Sequence, residues 1–236
     1  MKLNQLIFLG ASGFPETSEI VRDINLVDER YQIVGILDDN ANLHGTLVEG
    51  YPVLGPLEQV HKYEQALAVF CIGSYRTRLV RYEIIQRLGL PRERFATLIH
   101  PAAKAYSSAK VGLGCIVHSG AVIFNGAVLE DFVMIYPNTV IGTKNLVCEG
   151  ALVTSMVTTT TNVIIGSYSH IGTGSCVAEF VKIGPGAQVG LGSLVSTDIP
   201  PGVFCLGNPL RFLNKAEVPD PLLERWKQLT AAPASP

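Results

Sequence analysis

Three sets of residues in this chain have types and spacings that could do chemistry. The first is Gly10-Ala11-Ser12-Gly13, with Asp38-Asp39 downstream. Glycines and a serine between a buried strand, Leu6 to Leu9, and a helix from about Glu16 to Asn25 offer free N–H groups to an anion. Asp38 closes a second strand, Gln32 to Leu37, where it could accept hydrogen bonds from ribose hydroxyls. Gly73 and Ser74 close a further strand, Ala66 to Ile72, and would wall the same crevice, because open parallel sheets bind ligands beyond the carboxyl ends of their strands. Ser12 and Pro15 stand at the second and third glycine positions of G-x-G-x-x-G, which counts against NAD and leaves a single nucleotide. A tight turn beside a solvated Asp38-Asp39-Asn40 loop is the competing, purely structural reading.

The second set is two histidines, His118 and His170, each adjacent to a buried aliphatic position. Either could be a rung residue without a task, and His170 is the stronger candidate for a proton acceptor. The third set is the threonine run Thr158 to Thr161. It reads as a polar ladder whose hydroxyls and amides could line a pocket between subunits.

These residues are positioned by a six-residue register that runs without insertion from Val111 to Val195. Every sixth residue is a branched aliphatic except Thr159. A period of six scatters around an α-helix, which turns every 3.6 residues. It fits a solenoid of short parallel strands, each giving one aliphatic side chain to a narrow core before a corner. Gly112, Gly142, Gly166, Gly172, Gly184 and Gly190 directly follow register residues, so the spacing places small residues at the corners. Three rungs make a coil, so residues 18 apart stack at about 4.8 Å. His118 and His170 then lie three coils, about 14 Å, apart and cannot share a site within one chain.

Residues 1–98 alternate strands with helices, including an amphipathic helix Arg76 to Leu88 with Leu79, Ile84, Ile85 and Leu88 on its apolar side, which predicts an α/β, Rossmann-like domain. Residues 99–199 form the β-helix. Residues 200–236 read as a Pro/Gly-rich exit and a short helix, Asp220 to Leu229; a frayed end is expected from Ala231 to Pro236, of which 232–236 lie outside the residues the structure describes.

Size and composition fit this division. The 236 residues carry a net charge of −2 with scattered basic residues, so nucleic acid is not expected as a partner. Five cysteines show no CxxC spacing, and neither a metal site nor a disulfide framework is expected from them. Leu6 to Leu9 is too short for a signal-peptide core and no run reaches membrane-spanning length, so a cytoplasmic protein without membrane insertion is expected.

An α/β domain of this kind before a hexapeptide β-helix resembles the sialic-acid O-acetyltransferase and bacillosamine N-acetyltransferase group of sugar acyltransferases. The matching stretches are Gly10-Ala11-Ser12-Gly13-Phe14, Gly35-Ile36-Leu37-Asp38-Asp39, Gly50-Tyr51-Pro52-Val53-Leu54-Gly55, Leu98-Ile99-His100-Pro101 and Asp198-Ile199-Pro200-Pro201-Gly202, leading to Gly207-Asn208-Pro209. The resemblance implies a left-handed β-helix and a homotrimer. Acetyl-CoA or another acyl-CoA would lie in the groove between neighbouring helices, touching Thr161, Thr173, Leu191 and Asn208, with no metal. A nucleotide-linked sugar would be held by Gly10, Ser12, Gly13, Asp38, Asp39, Gly73 and Ser74.

The chain departs from that family at the reacting centre. The family carries a histidine followed by a carboxylate in a mid-helix turn, and a second histidine nine residues on. An ungapped alignment puts Thr143, Lys144 and Leu152 there. An alignment one coil higher puts Thr161, Asn162 and His170. The ungapped alignment matches both ends of the chain better, and neither supplies the expected general base; threonine cannot act as a base near neutral pH. The expected activity is therefore a CoA-dependent acyl transfer to a nucleotide-linked sugar with a non-standard site, and the expected base is His170. A non-catalytic nucleotide-sugar-binding or assembly relative is the alternative.

Overall fold

The computed structural model describes residues 3–231. Strand β1 (Asn4–Leu9) runs into α1 (Phe14–Val27), followed by β2 (Tyr31–Leu37), the hairpin β3 (Leu47–Val48) and β4 (Tyr51–Gly55), β5 (Leu67–Phe70) and α2 (Val80–Leu88). The sheet order is β3-β4-β2-β1-β5, parallel except for the β3–β4 pair. β1 is apolar over Leu6–Leu9 because both faces are covered, and all four residues are fully buried.

Two elements differ from the sequence reading. The helix expected from Arg76 begins at Val80, because Ser74 and Thr77 first close a turn on each other's backbone N–H and hydroxyl groups at 3.0–3.2 Å. The β3–β4 hairpin was not foreseen; Gly50, at φ 81, makes its tight turn.

The second half is a three-sided parallel β-helix of two-residue rungs. One side stacks Leu98–Ile99, Ile116–Val117, Met134–Ile135, Leu152–Val153, His170–Ile171 and Gln188–Val189. A second stacks rungs from Lys104–Ala105 to Leu194–Val195, and a third from Lys110–Val111 to Lys182–Ile183. From Lys110–Val111 onward the second residue of each rung points into the core, and the register residues from Val117 to Val195 are almost fully buried there. Thr159 belongs to this core at 2% exposure. Its hydroxyl oxygen accepts from the Gly142 N–H at 3.0 Å and the Asn145 side-chain amide at 2.5 Å, and its hydroxyl faces the Val140 carbonyl at 3.2 Å. The break in the aliphatic register is thus a satisfied polar link across two coils: the Thr159 hydroxyl takes the Gly142 N–H, and the ladder to the preceding coil keeps only the Val140–Thr158 pair, while Thr158 and Thr159 both pair with the next coil.

The corner glycines are small because the next coil passes close to them. A Cβ on Gly142 would lie 1.8 Å from the Thr160 carbonyl oxygen, so close approach of the next coil requires glycine there. Positive φ falls three residues after the register residue, at positions that include Phe132, Lys144, Asn162, Tyr168 and Phe180 as well as Gly150 and Gly174.

The exit segment also extends the stack. Val203–Leu206 pairs in parallel with Gln188–Val189, and Arg211–Lys215 returns antiparallel before α3 (Asp220–Ala231).

The first domain packs on the first side of the β-helix. Ile116, Met134 and Leu152, the outward residues of that column, join one apolar cluster with Phe8, Phe14 and Leu98. One coil further on, the column turns polar at His170 and then Gln188, which are half-buried. The cover of the first domain ends there.

Candidate active site

A cavity of about 320 Å³ opens where that cover ends. The loop after β5 reaches it first. Gly73 approaches the β-helix so closely that a Cβ would stand 3.0 Å from the Met134 sulfur. Ser74 and Tyr75 follow, and Arg78 pins the segment by donating through Nε to the Gly186 carbonyl at 3.0 Å and through Nη1 to the Tyr75 carbonyl at 2.7 Å. From α1, the first-turn residue Glu16 reaches the rim. The β-helix supplies Tyr136, Thr154, Ser155, His170 and Thr173.

His170 lies in the wall of this cavity. The Tyr75 ring meets its imidazole edge-on, with centroids 6.2 Å apart at 64°. Burial first, and then the Arg78 charge, push its pKa down to about 4, so the ring is neutral at pH 7. Nδ1 is sealed in without a hydrogen-bond partner. Unprotonated, the ring can accept a proton through its other nitrogen, Nε2, from a group in the cavity that His170 lines. Beside the imidazole, Thr154 donates to the Ile171 carbonyl at 2.7 Å and the Thr173 hydroxyl donates to Thr154 at 3.2 Å.

The residues singled out in the first domain gather at the ends of β1 and β2. The Asp38 Oδ2 accepts from the Ala11 N–H at 2.7 Å, so this carboxylate shapes the Gly10–Gly13 turn itself. A Cβ on Gly13 would lie 1.9 Å from the Cys71 carbonyl oxygen, which makes glycine obligatory for packing as well as for any ligand. Ser12 is exposed. Asp39 points elsewhere: it accepts from the Leu57 N–H at 3.0 Å and pairs with Arg87 at 2.6 Å. Because α1 carries both the Gly13 end and Glu16, the turn and the cavity adjoin.

The β-helix candidates divide between two edges. Thr173 lines the cavity, and Leu191, 77% exposed, is one coil above it, with the Gly192 N–H on the Thr173 carbonyl. Thr143, Lys144 and Thr161 occupy a different edge, between the second and third sides. There the Thr143 carbonyl accepts from the Thr161 hydroxyl at 3.1 Å and the Asn162 N–H at 3.0 Å, and Lys144 is exposed. One chain therefore does not bring Thr143 or Thr161 to His170. Asn208 is exposed in the loop after Val203–Leu206.

His118 lies under Tyr136 in the same stack, rings 12° from parallel with centroids 4.8 Å apart, and burial lowers its pKa to about 4. It buttresses the tyrosine. Glu16, Tyr75, Tyr136 and Thr154 were not picked out from the sequence, although the 18-residue spacing of His118, Tyr136 and Thr154 gives a signal for two of them. Among the described residues no group of three His, Cys, Asp or Glu side chains could hold a metal ion, and no helix is long and apolar enough to cross a membrane.

An α/β domain packed on a hexapeptide-repeat β-helix is an architecture this chain shares with known acetyltransferases. Residues 5–85 match the PglD N-terminal domain family. The acetyltransferase domain of PglB from Neisseria gonorrhoeae, solved in complex with acetyl coenzyme A, is 28% identical, with a TM-score of 0.75 over 90% of this chain and 100% of that one. Perosamine N-acetyltransferase from Caulobacter crescentus, solved with CoA and GDP-perosamine, shares the fold: 22% identity, TM-score 0.76, 91% of this chain and 99% of that one. Serine acetyltransferase from Buchnera aphidicola is 28% identical over 162 residues, 64% of this chain, so the match spans about half (53%) of that relative's length. The resemblance to the sugar acyltransferases is borne out over both domains.

Proposed function

We propose that the protein is a CoA-dependent acyltransferase that moves an acetyl or similar acyl group onto a nucleotide-linked sugar in glycan biosynthesis. The observation that carries this reading is His170: a neutral imidazole in the wall of a cavity between the two domains. In this reading the nucleotide lies along Gly10, Ser12, Gly13 and Asp38, and the sugar enters past Gly73 and Ser74. The acceptor adds to the thioester carbonyl as its proton passes to Nε2 of His170. The tetrahedral adduct collapses, the C–S bond breaks, and the imidazolium returns the proton to the departing thiolate, leaving acylated sugar and free CoA. The burial that depresses the histidine's pKa makes that return easy.

The acyl-CoA groove is assigned to a homotrimer, in which a second copy brings its Thr161 edge to the Thr173–Leu191 edge. Its support is that three of the six outward residues of the second side, Val122, Val140 and Leu194, are apolar, beside Lys104, Thr158 and Cys176; Leu194 is 43% exposed. The absence of any carboxylate on Nδ1 favours a second reading, a binding protein that has kept the scaffold without the chemistry.

One experiment separates them. Acetyl-CoA binding is measured by calorimetry, and thiol release is followed with UDP-, dTDP- and GDP-linked sugars. The enzyme reading expects turnover that His170→Ala lowers at least about 100-fold. CoA binding without turnover supports the binding protein, and no CoA binding removes the acyltransferase reading.

A further inference from the structure

A histidine that moves protons is ordinarily aimed by a hydrogen bond on its far nitrogen. His170 has none there: its Nδ1 is buried without a partner. Packing must aim the ring instead, and the aromatic side chain set against it is Tyr75, edge-on with centroids 6.2 Å apart. Tyr75 sits on the loop after β5, whose polar groups are largely spent within the loop. Ser74 and Thr77 bond each other at 3.0–3.2 Å, and Arg76 Nε donates to the Tyr75 hydroxyl at 2.7 Å. Among the described residues, one hydrogen bond links residues 73–79 to the β-helix, from Arg78 Nε to the Gly186 carbonyl at 3.0 Å. The same guanidinium donates through Nη1 to the Tyr75 carbonyl at 2.7 Å. Gly186 stands on the coil after that of His170, and a Cβ there would lie 3.0 Å from methyl groups of Leu79 and Val218, so both close on this corner only because it is glycine. No carboxylate pairs with Arg78 among the described residues, and its charge acts uncompensated on the imidazole.

We infer that Arg78 is a positioning residue: its guanidinium fork ties the Tyr75 loop to the coil beyond His170 and so fixes the direction in which the imidazole faces the cavity. This rests on the acyl-transfer reading, in which His170 takes the acceptor's proton, and adds to it a residue outside the cavity lining. An imidazole turned away from its working direction loses the aligned path for proton transfer, which lowers kcat and leaves binding of the acyl donor alone. The fork also acts through its charge. The charged or titratable groups about the ring are Tyr75, Arg76 and Arg78 of the loop, Glu16 of α1 and Tyr136 of the β-helix. Of these, the Arg78 cation is the one that, after burial, opposes protonation of the imidazole. Direction and charge are thus carried by one side chain, and they can be separated, because lysine supplies the charge without the fork. Gly73 and Ser74 belong to the same segment, so in this reading the loop that passes the sugar also aims the base.

The test uses acetyl-CoA with the nucleotide-linked sugar that turns over best, on the wild type, Arg78→Met and Arg78→Lys. Arg78→Met is expected to lower kcat about tenfold or more, with the KM for acetyl-CoA changed less than about threefold. Arg78→Lys is expected to recover little of that loss, since one ammonium cannot span both carbonyls. NMR titration of the His170 ring should divide the variants differently. Its pKa is expected to rise by about half a unit or more in Arg78→Met and to stay near the wild-type value in Arg78→Lys. Tyr75→Leu removes the ring and leaves the fork; it should lower kcat, and combined with Arg78→Met it should lose little beyond the worse single change. Circular dichroism and calorimetric CoA affinity should match the wild type throughout. The inference is overturned if Arg78→Met keeps kcat within about twofold, or if Arg78→Lys restores it to within about twofold, which would assign the effect to charge alone. It is also overturned if the Tyr75 and Arg78 losses multiply, or if both Arg78 variants lose their fold or their CoA affinity, which would assign a structural role. Those outcomes leave the acyl-transfer reading standing, whereas a wild type that binds no CoA or acylates no sugar ends that reading before any variant is made.

Discussion

Arg81 of α2 donates through Nη2 to the Phe132 carbonyl oxygen at 2.9 Å, and through Nη1 to that of Gly150. The side chain is fully buried, lies over the Phe70 ring at 5.2 Å, and has no carboxylate partner among the described residues. Phe132 and Gly150 stand at positive-φ corners of successive coils. The guanidinium fork therefore joins the first domain to two layers of the β-helix at once.

Replacing Arg81 by methionine fills much of the volume and leaves two buried carbonyls without donors. We expect a loss of about 2–4 kcal/mol, read as a lower urea midpoint. Arg81→Lys should recover little of it, because a point ammonium cannot span both acceptors. A midpoint unchanged in Arg81→Met would show that the fork carries no net stability.

Thr159→Val restores an unbroken aliphatic register and, judged by pattern alone, should stabilise. The structure predicts the reverse. Valine strands the Gly142 N–H and the Asn145 amide in the core, at a cost of about 1–3 kcal/mol in chemical denaturation. A raised midpoint would refute the polar-link account.

His118 has a folded pKa of about 4 against an ordinary 6.5, with burial the larger cause and the His100 charge the lesser. Because the folded value is the lower one, the unfolded chain binds the proton more readily between these limits. Stability is therefore full above about pH 6.5 and falls as the pH drops toward 4. His118→Phe keeps the stack on Tyr136 and removes the titrating nitrogen. Thermal melts should show the mutant losing about 1–2 kcal/mol less than wild type between pH 7 and pH 5. Equal losses would place the pH sensitivity elsewhere.

The β-helix was legible because its rungs are two residues long. One residue of each pair must face the core, so a period of six in the letters is a period of six in space. The same logic reads Thr159 as an exception but cannot name its partners, since Gly142 and Asn145 are fixed by the stacking of coils. Arg81 was illegible for a related reason. On a helix whose apolar side is Leu79, Ile84, Ile85 and Leu88, an arginine reads as solvated, and only carbonyls 51 and 69 residues away make it a core residue. His170 could be singled out by its type and place in the register. Its companions could not, because Glu16 and Tyr75 meet Tyr136 only through the docking of one domain on the other.

The column Ile116, Met134, Leu152, His170, Gln188 changes from buried apolar to half-buried polar where the first domain stops. Repeat number thus works as a ruler with a pitch of one coil, about 4.8 Å. Inserting or deleting 18 residues below His170 would slide the imidazole out from under Tyr75 or bury it beneath the first domain, with every local sequence motif intact. In such an architecture the address of the reacting group is a coil count, and relatives that share every short motif can still differ in where their chemistry sits.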